Sequence, residues 1–344
     1  MLRSTLKPMR QIGKKLWRSV RPASLILLYH RVADLESDPQ LLTVSPTNFA
    51  EHLAFLRQHY SPCPLKNLEP NTPTAHRQIV ITFDDGYGDN LHQAKPLLER
   101  YSIPATVFVT AGTIGQIEEF WWDELERLLL YPGQLPSRLE VTIAQQTHHW
   151  DLGAAAYSPL ERERDRLWTV LDPADPTPRH RVYRELCGLL RPLTADDRHS
   201  VLTALQAQAG VDSVGRISHR TLTESEVVDL AQDGLVEVGA HAMTHSVLSQ
   251  QSSLLQEKEI RSSKAHLEAL LGHPVTSFAY PFGTLGDYTA ETVKIVRQCG
   301  FERACSNYEG AIRHWLDPFQ MPRFIVRNWN GDEFAKRLRE WWNA

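Results

Sequence analysis

Asp84 and Asp85 close an apolar run, Gln-Ile-Val-Ile-Thr-Phe, and Gly86 follows them directly. Much farther along the chain His241 closes the run Val-Glu-Val-Gly-Ala, and His245 follows it four residues later. Two imidazoles and one carboxylate are the three-ligand set of a catalytic zinc site, with one position left for water. Water in such a site loses its proton near neutral pH, and a spare carboxylate can accept it. Neighbouring strand residues point to opposite sides. One aspartate is therefore expected to bind metal while the other faces substrate. The histidines can meet on one cation if the segment between them turns helically. Alone, Asp-Asp-Gly is more often a turn. A lone His-x-x-x-His is more often a surface or core pair. Each standing at the end of an apolar strand, the two motifs together point to a hydrolytic metalloenzyme.

Such strand ends need a scaffold that gathers them. Ser24–Tyr29, Gln78–Phe83 and Ala105–Val109 read as buried strands, with helices opening at Ser45-Pro46 and spanning Asn90–Tyr101. Phe49, Leu53 and Leu56 share one face of the first helix. From 113 to 217 the pattern is mainly helical, around 123–131, 159–171, 179–191 and 195–208, with a proline-rich connector from Leu171 to Pro178. Alternation then resumes with helices at 223–232, 252–271 and 288–299 and strands at 235–240 and 276–280. A further amphipathic helix is expected near 331–343. Repeated strand-helix units imply a parallel sheet or barrel, whose active site lies at the carboxyl ends of the strands. His30 and Tyr280 also fall at such ends. The expected organisation is a basic arm over 1–22 and a barrel over 23–344, interrupted by a helical insertion at 113–217.

The net charge of -4 gives no general attraction to nucleic acid. Cys63, Cys187, Cys299 and Cys305 have no Cys-x-x-Cys spacing, which suits reduced, buried thiols and a cytoplasmic setting. No apolar run reaches the roughly 20 residues a membrane span needs, and Leu25–Tyr29 is too short for a signal-peptide core. The arm carries Arg3, Lys7, Arg10, Lys14, Lys15, Arg18 and Arg21 and no acidic residue. It could lie on an anionic membrane surface through Leu2, Leu6, Leu16 and Trp17, although Pro8 interrupts the helical pattern. His148 and His149 lack a strand-end position and are read as solvated. Trp121 and Trp122 suit stacking on a sugar ring, yet core packing is the commoner role for such residues.

Two segments, Thr82-Phe83-Asp84-Asp85-Gly86 and His241-Ala-Met-Thr-His245-Ser-Val-Leu248, resemble the first two motifs of the polysaccharide deacetylases, carbohydrate esterase family 4. Ile103-Pro-Ala-Thr-Val-Phe-Val109 is similar to that family's third strand. The resemblance covers about 23–112 and 218–330. It implies a deformed (β/α) barrel, usually of seven strands, and metal-dependent removal of N- or O-acetyl groups from a sugar. By position, Asp85, His241 and His245 would hold the metal, most readily Zn2+, with Co2+, Ni2+ or Fe2+ able to replace it. Asp84 would be the general base. Phe278-Ala-Tyr280-Pro281-Phe282-Gly283 has tyrosine where the third motif normally has arginine, as in the branch that includes poly-N-acetylglucosamine deacetylases. Tyr280, Pro281 and Phe282 would face substrate, with a backbone amide of the segment at the oxyanion. The usual late Leu-x-His motif is absent. In the branch just named the acid histidine resembles His30 in Leu27-Leu-Tyr-His30-Arg-Val, and Arg323 in Met321-Pro322-Arg323 orients the base. The expected partner is an acetylated, N-acetylhexosamine-containing polysaccharide, oligosaccharide or lipid-linked glycan. An amidase acting on a small non-sugar amide, or an inactive glycan-binding relative, are the alternatives. A glycosidase is excluded: its paired carboxylates face each other across about 5–9.5 Å, which adjacent strand residues cannot do.

Overall fold

The computed structural model describes residues 24–68, 77–131, 133–153, 156–312 and 317–343. The basic arm lies outside the described residues. Among those described, no helix is long and apolar enough to cross a membrane.

Seven short strands form the main path of an eight-stranded sheet: β1 (Leu25–Tyr29), β2 (Gln78–Phe83), β3 (Ala105–Val109), β4 (Val236–Ala240), β5 (Ser277–Ala279), β6 (Arg303–Cys305) and β7 (Phe324–Ile325), with the two-residue strand Ser61–Pro62 pairing beside β2 off that path. Their order is β6-β5-β4-β3-β2-β1-β7, and every pairing along it is parallel. β1 and β3 are buried at every residue. A parallel sheet covered on both faces demands such largely apolar runs. The register aligns the carboxyl ends: Tyr29 pairs with Phe83, Phe83 with Val107, Val109 with Ala240, and Ala240 with Phe278. Ahead of β7, Met321 makes a parallel bridge to Cys305, so the chain entering β7 spans the two edges of the sheet. The result is a deformed (β/α) barrel.

Helix α1 (Pro46–His59) starts where Ser45 accepts the Asn48 amide, and it buries Phe49, Leu53 and Leu56. Asn90–Tyr101, expected as one helix, begins as a π-helical turn over Asn90–Ala94 and is α-helical over Lys95–Tyr101. Pro96 has no amide hydrogen, and the wider turn, closed by Lys95 N–H to Asn90 O, absorbs that loss.

The segment 113–217 is not wholly helical. Helices α2 (Trp121–Leu129), α3 (Pro178–Leu190) and α4 (Ala195–Ala209) flank an antiparallel hairpin, Arg138–Ile143 with Gln146–Asp151. Leu139, Val141 and Ile143 point inward alternately and join Leu125, Val182, Leu186 and Leu202 in a core separate from the barrel's. The expected helix at 159–171 stops at Asp165, and the Trp168 indole instead donates to Ala174 O at 3.0 Å. His148 stacks on Trp150 at 5.7 Å, and the exposed His149 pairs with Glu140 at 3.0 Å. All four cysteines are free thiols; Cys299 and Cys305 are buried, whereas Cys63 and Cys187 are only partly so.

Behind the insertion, α5 (Ser253–Leu271) packs against the sheet, and α6 (Gly331–Asn343) lies on α1. At the α1–α6 contact the His52 ring stacks on Phe334 at 3.9 Å, and its Nε2–H donates to Trp329 O at 2.7 Å. The Tyr29 hydroxyl meets Nδ1 at 3.3 Å. Burial pushes the imidazole down to about 4, against the weaker upward pull of the Trp329 carbonyl. The unfolded chain, near 6.5, then binds the proton first as pH falls. The neutral ring's contribution is complete above pH 6.5 and is lost progressively toward pH 4. It amounts to about 3 kcal/mol. Urea unfolding of the His52→Gln variant should therefore show a shallower loss of stability across that window. Equal slopes in variant and parent would refute this account.

Candidate active site

The site begins where β2 runs out. Asp84 N–H still donates to Tyr29 O at 3.1 Å, as a strand residue would. Asp85 departs from the strand with φ 76°, and its carbonyl accepts the Thr110 amide at 3.1 Å. That left-handed step turns the second side chain toward the same rim as the first. Adjacent aspartates therefore serve one cavity, where simple strand alternation would separate them.

His241 follows β4, and its amide donates to Val109 O at 2.9 Å. Its Nδ1–H donates to Ala279 O at 2.8 Å, which leaves Nε2 facing the rim. The segment from His241 to His245 is not helical. It is a tight turn with positive φ at Ala242 (59°) and His245 (52°). Glu259 on α5 accepts the Met243 and Thr244 amides at 3.0 and 2.9 Å. Arg198 on α4 donates to Thr244 O at 2.8 Å and to His245 O at 3.3 Å. The turn presses on Gly112, where an added Cβ would lie 2.5 Å from Met243 O.

Asp85 Oδ1 lies 3.3 Å from His245 Nε2 and 3.6 Å from His241 Nε2. One ligand atom from each of the three lies within 4.8 Å of the others, and all three residues are buried. Among the described residues Asp85 Oδ1 has no hydrogen-bond partner. A buried carboxylate oxygen without a donor is costly. A divalent cation shared with two neutral imidazoles removes that cost, so the donor set fits a metal ion.

Asp84 has a different partner. Arg323, fully buried, reaches its two oxygens through both terminal nitrogens at 2.7 Å each and is anchored by Ser306 O at 2.8 Å. Burial raises the Asp84 carboxyl, but the Arg323 guanidinium and then His241 outweigh it and hold the group at about 2. The carboxylate is thus ionised and held in orientation beside the triad.

The family model for polysaccharide deacetylases matches residues 71–134 and 198–304. Its two blocks leave out only 135–197, within the 113–217 segment, and include all four of Asp84, Asp85, His241 and His245. The chain carries a polysaccharide deacetylase domain. YxkH of Bacillus subtilis (strain 168), named for the same family, is 29% identical over 117 residues; that match spans 32% of this chain and 40% of the relative. In shape the chain is similar to IcaB from Ammonifex degensii, with a TM-score of 0.56 and 17% identity over 94% of this chain and 98% of that one. It is also similar to the Streptococcus pyogenes deacetylase PplD, solved in complex with acetate, with a TM-score of 0.54 and 18% identity over 91% and 97% of the two chains.

Around the triad the chain encloses a cavity of about 310 Å3. His30, Asp84, Asp85, His241, His245 and Phe282 line it. Burial lowers the His30 pKa, against the upward pull of Asp85 and Asp84. Tyr280 does not reach the cavity. Its ring stacks on Tyr288 at 4.2 Å, and its hydroxyl donates to Phe319 O at 2.9 Å, so it is a barrel-core residue. Pro281 is likewise outside the lining. Phe282, at φ 60°, packs against the His245 ring at 4.6 Å.

The insertion supplies the facing wall with Trp121, Trp122, Cys187 and Arg191. Trp122, only 5% exposed, does core and wall duty at once. It stacks on Phe120 at 4.6 Å, donates to Tyr87 Oη at 2.9 Å and meets His245 edge-on at 5.0 Å. Arg191 sits over the Phe282 ring at 4.4 Å and pairs with Asp287 at 2.6 Å. Sequence reasoning missed Arg191, Gln40 and Arg327, which also line the cavity. None lies in a motif, and only the tertiary fold brings them to the rim.

Proposed function

We propose that this chain is a divalent-metal-dependent N-deacetylase, acting on an N-acetylhexosamine-containing polysaccharide, oligosaccharide or lipid-linked glycan. The observation that carries the reading is the partnerless Asp85 Oδ1, facing two histidine Nε2 atoms beside an arginine-locked aspartate. A divalent ion held by Asp85, His241 and His245, with zinc the best match to the donor set, would polarise the acetyl carbonyl and acidify a water molecule.

The chain's own groups do the rest. Asp84, fixed by Arg323, accepts the proton of the attacking water. The Phe282 backbone amide is the candidate donor to the carbonyl oxygen as charge develops there. His30 delivers a proton to the departing sugar nitrogen, since an amine leaves far more readily than its anion. Acetate and the free amine are the products. The acetate in the Streptococcus pyogenes relative suits this chemistry.

The test is acetate release from N-acetylglucosamine oligomers by protein stripped with a chelator and then restored with Zn2+. Release is expected only after restoration. Equal release before and after would end the metal-dependent reading. No release from the neutral oligomers or the acetylated anionic sugars described below would end the deacetylase reading.

A further inference from the structure

Two arginines line the cavity, and their charges are answered differently. Arg191 has the Asp287 carboxylate at 2.6 Å. Arg327, two residues beyond β7, has no carboxylate within ion-pair reach among the described residues. Its Nη1 donates to the carbonyl of Leu41, an uncharged acceptor. The acid whose charge acts on it is Asp38, whose oxygens are already engaged by the Leu42 and Thr43 amides at 2.9 and 2.8 Å. Inside the barrel, Asp84 is already matched by Arg323 at 2.7 Å. A guanidinium largely withdrawn from water without a counter-ion is costly unless a ligand brings one. Its planar fork matches a carboxylate or a phosphate.

We infer that Arg327 reads an anionic group, phosphate or carboxylate, on the acetylated sugar that enters this cavity. The inference rests on the deacetylase reading of the same site and narrows its substrate to acidic glycans. Arg327 shares the cavity with His30 and Asp84, and its charge reaches the His30 ring. The anion therefore belongs on the reacting sugar or its immediate neighbour. Gln40 and Leu42 complete that side of the wall.

Three probes separate the possibilities: the methyl glycoside of N-acetylglucosamine, N-acetylglucosamine 1-phosphate, and the methyl glycoside of N-acetylglucosaminuronic acid. Binding to the zinc-loaded protein is measured by titration calorimetry, and acetate release is measured in parallel. One anionic probe should bind at least about 10-fold more tightly than the neutral one, the size of a single charge-assisted contact. Whichever it is identifies the anion as phosphate or carboxylate. In Arg327→Met the ratio of anionic to neutral binding should fall toward unity, and Arg327→Lys should restore part of it. Equal binding of all three by the parent protein, or a preference that survives Arg327→Met, overturns the inference. Anion-selective binding that depends on Arg327, with no acetate released from any probe, leaves this inference standing and removes the deacetylase reading instead.

Discussion

Asp84→Asn is expected to lower acetate release by about 10^2- to 10^4-fold, the usual range for removing a positioned general base. Affinity for the divalent ion should change little. The substitution keeps the shape of the side chain and one acceptor oxygen for Arg323. It removes the ability to take a proton together with the charge that answers the buried guanidinium, so the variant is less stable but keeps its ion site. Asp84 lies outside the ligand triad: its Oδ2 is 3.9 Å from His241 Nε2, whereas Asp85 Oδ1 approaches both imidazoles. With Arg323 holding it at about 2, the carboxylate is a weak base and depends on an acidified water as its proton source. Activity and ion binding must therefore separate in this variant and fall together in Asp85→Ala. Zinc content and acetate release measured on both proteins decide the matter. An Asp84→Asn enzyme that kept more than about a tenth of its activity would remove the aspartate from the proton-transfer role.

The barrel could be read from the sequence because its strands are buried on both faces, and β1, β2 and β3 therefore appear as largely apolar runs, broken only by Gln78, Thr82 and Thr106. The strand-end rule then placed Asp84, Asp85, His241 and His245 on one rim before any contact was known. What the sequence hid was conformation at single residues. Asp-Asp-Gly allows a turn but does not say that Asp85 itself takes φ 76°, and nothing in His-Ala-Met-Thr-His signals a turn held from outside by Glu259 and Arg198. The hairpin in the insertion was concealed in the same way. Its two-residue turn is Ala144-Gln145, both at positive φ, without the asparagine or glycine that normally marks such a turn. The alternation of Leu139, Val141 and Ile143 was the usable signal there. For the second strand, Gln146–Asp151, the polar run Gln-Thr-His-His offered none. Tyr280 misled for a related reason: the strand-end position was right, but a core that needed its ring turned the side chain inward.

Arg323→Met is expected to cost about 3–5 kcal/mol of stability, the penalty for stranding a buried charge. Arg323 is fully buried, and Asp84 is only 4% exposed. Removing the guanidinium leaves the desolvation of Asp84 with far weaker opposition. Its pKa then rises above the ordinary value of 3.8, where before it was held at about 2. The two proteins should respond to acid with opposite sign. In the parent, the pair's contribution is complete above pH 3.8 and is lost as pH falls toward 2, since the unfolded state then binds more protons. In the variant, stability is best preserved in acid and declines as pH rises through the elevated folded-state pKa, because the native carboxyl must ionise without a partner. The double variant Arg323→Met/Asp84→Asn buries no uncompensated charge and should recover most of the loss. Chemical denaturation of the four proteins at several pH values closes the cycle. A double variant as unstable as the sum of the two single ones would show that Arg323 acts through its packing over Phe108 and its bond to Ser306 rather than through the charge of Asp84.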